Sequence, residues 1–117
     1  MTDLIARLTA ATGPDVELDA AIEMVINPDG AVETYHHILA RRINGDWEPL
    51  PRYTGTFEDA MKAVPDGYRL AFCGQDGFGW SAFIGTVASP KSVFGIRSLA
   101  ASAPLAICIA AMKARGL

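Results

Sequence analysis

The chain has 117 residues, 50% of them hydrophobic and 20% charged, with a formal net charge of −3. A chain of this size buries roughly two thirds of the surface its unfolded form exposes, so residues 1–117 hold one core and one domain without a metal or disulfide staple. The apolar content excludes a disordered tail protein, and the acidic balance argues against binding nucleic acid through a broad basic face. Cys73 and Cys108 stand far apart in apolar stretches with no CxxC spacing, which reads as two buried thiols of a reducing cytoplasm. The start, Met1 to Arg7, lacks the basic and continuously apolar character of a signal peptide. The longest apolar run, Ala103 to Met112, is shorter than the roughly 20 residues a bilayer span requires. The expectation is a cytoplasmic protein without a membrane segment.

In chain order, Leu4, Ile5, Leu8 and Ala11 form one stripe of a first helix, with Asp3 at its positive end and Gly13-Pro14 as its stop. Pro14 is expected as the first residue of a second helix, with Asp15 and Glu17 in its first turn. That helix buries Leu18, Ala21, Ile22 and Val25 and ends at Asn27-Pro28-Asp29-Gly30. Residues 31–43 fit either a strand or one helical stripe through Val32, Tyr35 and Leu39. Asn44-Gly45 favours short strands, because this dipeptide supplies two positive φ angles for a tight hairpin turn. Pro49 and Pro51 make the strand after the turn an edge strand or a very short one.

Thr56 is a candidate N-cap of a short helix through Phe57, Ala60, Met61 and Val64, stopped by Pro65-Asp66-Gly67. The clearest sheet follows: Tyr68 to Cys73 and Phe78 to Val87 pair antiparallel across Gly74-Gln75-Asp76-Gly77. Gly79 and Gly85 inside the second of these runs suggest a bulge or the close approach of another element instead of a smooth central strand. Ser92 to Ser98 adds a third strand after the turn Ala88-Ser89-Pro90. A last helix is capped by Ser102, carries Pro104 in its first turn, buries Leu105, Cys108, Ile109 and Met112, and stops at Gly116. The order predicts an α+β fold in which a small antiparallel sheet of three to five strands is covered by helices.

Leu4-Ile5-Ala6-Arg7-Leu8, Ala10-Ala11-Thr12-Gly13-Pro14-Asp15, Glu17 to Ile22, Tyr53-Thr54, Val64-Pro65-Asp66-Gly67 and Ala103 to Ala111 occur in an order that resembles the phage ABA sandwich domain family. The resemblance runs over nearly the whole chain and implies an α-β-α sandwich, a phage or prophage origin and a molecular role that is unknown. It transfers no catalytic motif and no cofactor. Residues 31–50 depart from the pattern as an inserted hairpin that contains the histidine pair.

His36-His37 is the only histidine pair, and neighbours on a strand point to opposite faces, which disfavours one shared metal ion. Either ring needs an acid such as Asp46 or Glu33 to act as a general base. Gly74 to Gly79 looks superficially like a phosphate loop, but it joins two strands instead of opening a helix. Glu17, Asp19 and Glu23 read as a solvated acidic face, or as a mimic of nucleic-acid phosphates. Arg41, Arg42 and Arg52 near Trp47 and Tyr53 form a small basic patch with aromatic neighbours. Trp80, in the clearest strand, reads as core or cross-strand packing. Trp47 beside a turn, with arginines nearby, has the composition of a binding hot spot.

These readings favour a non-enzymatic binding or accessory protein that acts on a bacterial host protein or another phage protein, with an inhibitor of host defence among the roles. Its candidate interaction residues are Trp47, Arg41, Arg42, Tyr53, His36 and His37. No metal or cofactor is expected. The rival is a small ligand-binding protein or enzyme that uses His36 or His37 in a pocket beside the inserted hairpin, and a third reading is nucleic-acid contact through Arg41, Arg42 and Arg52. An edge strand or surplus apolar helix face leaves a homo-oligomer open.

Overall fold

The computed structural model describes residues 3–35, 38–86 and 93–117. Helix α1 (Leu4–Ala10) begins at Asp3, whose carboxylate accepts the Ile5 N–H at 3.0 Å. Helix α2 (Val16–Ile26) begins two residues later than the sequence predicts. Asp15 is its N-cap and accepts from the Glu17 and Leu18 N–H groups at 2.9 and 3.2 Å, so Pro14 lies outside the helix. A short carboxylate satisfying two orphan donors outweighs the preference of proline for the first helical position.

Residues 31–49 form three strands, β1 (Ala31–Tyr35), β2 (Ile38–Ile43) and β3 (Asp46–Pro49), in one antiparallel sheet of order β1-β2-β3. Asn44 and Gly45 take φ of 51° and 85°, the pair of positive angles that the hairpin turn between β2 and β3 demands. The helical alternative for this segment is thereby set aside, and Pro49 sits on an edge strand as its missing donor requires. His36 and His37 lie outside the described residues.

Helix α3 (Phe57–Met61) is capped by Thr56, which accepts the Asp59 N–H at 3.1 Å. A second sheet follows, β4 (Tyr68–Gln75), β5 (Trp80–Thr86) and β6 (Val93–Ala100), antiparallel in that order. The predicted turn at Ala88-Ser89-Pro90 lies outside the described residues. The irregularities in this sheet fall between Leu70 and Phe72 on β4 and between Trp80 and Ala82 on β5, not at Gly79 or Gly85. Gly79 belongs to the turn before β5, and Gly85 pairs regularly with Arg69 and Val93.

Helix α4 (Ala103–Ala114) is capped by Ser102 through the Leu105 N–H at 3.3 Å. Its residues from Leu105 to Met112 are all fully buried, which fits a helix that is apolar on every side. It crosses β4, β5 and β6 and packs on α1 and α3. The α+β class expected from the sequence is the observed one. The strands divide between two sheets, and the buried centre is α4. Among the described residues no helix is long and apolar enough to cross a membrane.

Candidate functional site

Asp19 and Glu23 are one turn apart on α2, beside the apolar pair Leu18 and Ile22 that enters the core. The sequence reading places both acids in a solvated face; the structure buries them to 4% and 2% exposure, and only Glu17 of the three stays outside. They are covered because β2 and the segment from Leu50 to Gly55 close over α2 with matching polar groups. The Tyr53 hydroxyl donates to Glu23 Oε1 at 2.7 Å, Arg41 Nη1 donates to the same oxygen at 3.0 Å, and Asn27 Nδ2 donates to Oε2 at 2.6 Å. Arg41 also donates through Nε to Glu48 Oε1 at 2.6 Å and bridges to that oxygen through Nη2. Burial works against the Arg41 charge, and the carboxylates of Glu23 and Glu48 more than offset it. Burial and the adjacent Glu23 push the Tyr53 hydroxyl far above its ordinary value, so it keeps its proton.

One turn earlier, Asp19 Oδ1 accepts from the Thr54 N–H at 2.8 Å and from its hydroxyl at 2.7 Å, while Thr54 Oγ1 accepts the Asp15 N–H at 2.8 Å. Behind this contact the Cys108 thiol donates to the Tyr53 carbonyl at 3.1 Å. Burial raises the Cys108 thiol strongly, which keeps it neutral and unreactive. The acid pair, the phenol and the buried thiol are therefore the fastening between α2, β2 and α4, each engaged by an internal partner.

The predicted interaction residues separate in space. Tyr53 is 1% exposed and belongs to the interior, because its hydroxyl is taken by Glu23; it offers no ring for stacking. Arg41 and Arg42 are successive on β2 and point to opposite faces, Arg41 toward Glu23 and Arg42 to solvent. Arg52 is exposed at the other end of the α2 contact, so the three arginines do not make one patch. Trp47 is half-buried and stands directly opposite Arg42 in the β2–β3 register, so those two do share a face. Among the described residues no three His, Cys, Asp or Glu side chains gather as metal ligands.

The sequence reading misses a second surface. On β4 the bulge at Ala71 puts Leu70 and Cys73 on the core face, with Ile84 and Ala82 opposite them, and turns Phe72 outward opposite Phe83. The two rings lie 5.9 Å apart with their planes 43° to each other, and Phe72 is 54% exposed. The Phe72 ring lies over Gly74, where an added Cβ would come within 2.7 Å of Cζ. In the following turn Asp76 Oδ1 accepts the Phe78 and Gly79 N–H groups at 2.8 and 3.1 Å, which holds Phe78 outward at 82% exposure. The signal for this surface was the glycine two residues after Phe72, since only glycine lets a ring lie flat over the neighbouring backbone. The chain matches no family model, no curated protein and no solved structure.

Proposed function

We propose that the chain is a non-enzymatic binding module, of phage or prophage origin as its sequence resemblance implies, that engages a bacterial host or phage protein through the face of β4 and β5 turned away from α4. The observation that carries this reading is the Phe72–Phe83 pair on that face, with a second exposed phenylalanine, Phe78, in the turn of the same hairpin. A sheet face normally gains its stability by packing, and an aromatic pair left half exposed on the outer face of a small domain is the kind of surface a partner covers. Covering Phe72 and Phe78 from their present exposure contributes about 3 kcal/mol of gross apolar burial, a substantial share of a micromolar contact. The reading as a binder and not a catalyst is supported by the use of Asp19, Glu23, Tyr53 and Cys108 in holding α2 to β2 and α4.

The test is affinity capture from a bacterial lysate at low and high salt with three proteins: the wild type, Phe72→Ser/Phe78→Ser and Trp47→Ala. The reading expects a protein retained by the wild type and by Trp47→Ala at both salts and lost with the double variant, which stays folded with its melting temperature lowered by only several degrees for the lost ring contact. Identical retention by all three contradicts it. Loss with Trp47→Ala alone moves the surface to the sheet of β1, β2 and β3.

A further inference from the structure

The segment from Leu50 to Thr56 passes over the start of α2 and leaves a groove of about 450 Å³. Its walls are mainly apolar, from Pro14, Val16, Leu39 and Leu50, and its two charged groups of interest are Asp19 and Arg52. Asp19 is 4% exposed, and both Thr54 hydrogen bonds go to Oδ1. Among the described residues Oδ2 accepts no hydrogen bond, yet none of their buried side-chain oxygens or nitrogens is sealed off without a partner. The free oxygen of a nearly buried carboxylate is therefore open to the groove that Asp19 lines. Arg52 uses its backbone N–H on Asp59 Oδ2 at 2.8 Å, and among the described residues its guanidinium makes no hydrogen bond or ion pair. Asp15 already caps α2, so recognition here belongs to side chains and not to the helix end.

We infer that this groove binds a small apolar zwitterion, of which a free aliphatic amino acid is the simplest, with its ammonium on Asp19 Oδ2, its carboxylate on Arg52 and its side chain against Val16, Leu39 and Leu50. The charge pattern selects this class. A purely apolar guest strips water from the open carboxylate oxygen and returns no hydrogen bond, which is unfavourable. A simple anion meets Asp15 and Asp19, and a simple cation leaves the guanidinium unanswered. A zwitterion satisfies both, and the volume lies in the range of ordinary small-molecule sites. This site is separate from the β4–β5 face, and either can stand if the other fails.

The experiment is an amide-resolved NMR titration of the isotope-labelled protein with L-leucine, 4-methylpentanoate and 3-methylbutylamine, the last two each lacking one charged group. Leucine is expected to shift amides of residues 15–19, 38–39 and 50–56 saturably, with each half-analogue about tenfold weaker or worse. Asp19→Asn keeps Oδ1 for Thr54 and puts an amide NH2 where the free oxygen stood, so it should weaken leucine about tenfold. Arg52→Met, on the exposed rim, should do the same and carries the test if Asp19→Asn fails to fold. The inference is overturned by the absence of saturable shifts at about 10 mM leucine, by a half-analogue binding as well as leucine, or by unchanged affinity in folded Arg52→Met.

Discussion

Arg41→Met isolates what the buried charge network contributes. Methionine keeps the apolar stem and removes the guanidinium from Glu23, whose side chain is 3% exposed, while Arg41 itself is 17% exposed. Removing one partner of a buried ion pair costs about 3–5 kcal/mol, because the other charge stays desolvated. Tyr53 and Asn27 still donate to Glu23, which places the expectation at the lower end, about 3 kcal/mol. That is a large part of the 5–15 kcal/mol typical of a domain, and corresponds to a fall in melting temperature of about 10 °C. Glu48 is 47% exposed, so Glu48→Gln should cost at most about 1 kcal/mol although it touches the same guanidinium. Urea denaturation of both variants, and of Arg41→Met/Glu23→Gln, reads these differences. The double variant should recover about 1 kcal/mol or more relative to Arg41→Met. The reasoning is refuted if Arg41→Met lies within about 0.5 kcal/mol of the wild type, or if it equals Glu48→Gln.

Gly74→Ala drives a Cβ into the Phe72 ring; because that ring is half exposed it should swing away, losing about 0.5–1.5 kcal/mol of ring contact while sharply reducing partner capture. Unchanged capture by the folded variant contradicts the role of Phe72. Burial, with Asp15 adding to it and Thr54 and Arg52 opposing, raises the Asp19 carboxyl above its ordinary 3.8. A raised carboxyl favours the native state most below the unfolded value, and that contribution is lost as pH rises from there through the native value. The stability of Asp19→Asn relative to wild type should therefore increase between about pH 3.5 and pH 7 in urea titrations, and a pH-independent difference speaks against burial as the dominant cause. Ser102→Ala removes the cap of the central helix and should cost about 1 kcal/mol by thermal denaturation; a neutral effect means that water replaces the cap.

The features legible in the sequence are those whose physics is local. Thr56 and Ser102 cap the helices predicted for them, and Asn44-Gly45 turns the hairpin predicted for it, because cap and turn chemistry involves only the next few residues. The apolar circumference of Leu105 to Met112 likewise signals a fully enclosed helix. Asp19 and Glu23 looked like surface because their partners, Thr54, Tyr53 and Arg41, come from distant parts of the chain. Simple alternation along β4 puts Phe72 inside with Tyr68 and Leu70; the bulge at Ala71 reverses it, and alternation contains no term for an extra residue. Trp47 and Arg42 meet as the hairpin register requires, whereas Tyr53 was misplaced because a tyrosine between polar residues gives no local sign of which side it faces.

The most direct measurement of the central claim is site-specific photocrosslinking in living bacteria, with a benzophenone side chain replacing Phe78 in one variant and Phe57 in another. Both positions are well exposed, at 82% and 51%, but Phe78 lies in the turn of the β4–β5 hairpin that carries the Phe72–Phe83 pair, whereas Phe57 opens α3. The account predicts one discrete protein adduct from position 78, abolished by Phe72→Ser, and only diffuse labelling from position 57. Equal labelling from the two positions, or an adduct that survives Phe72→Ser, contradicts it.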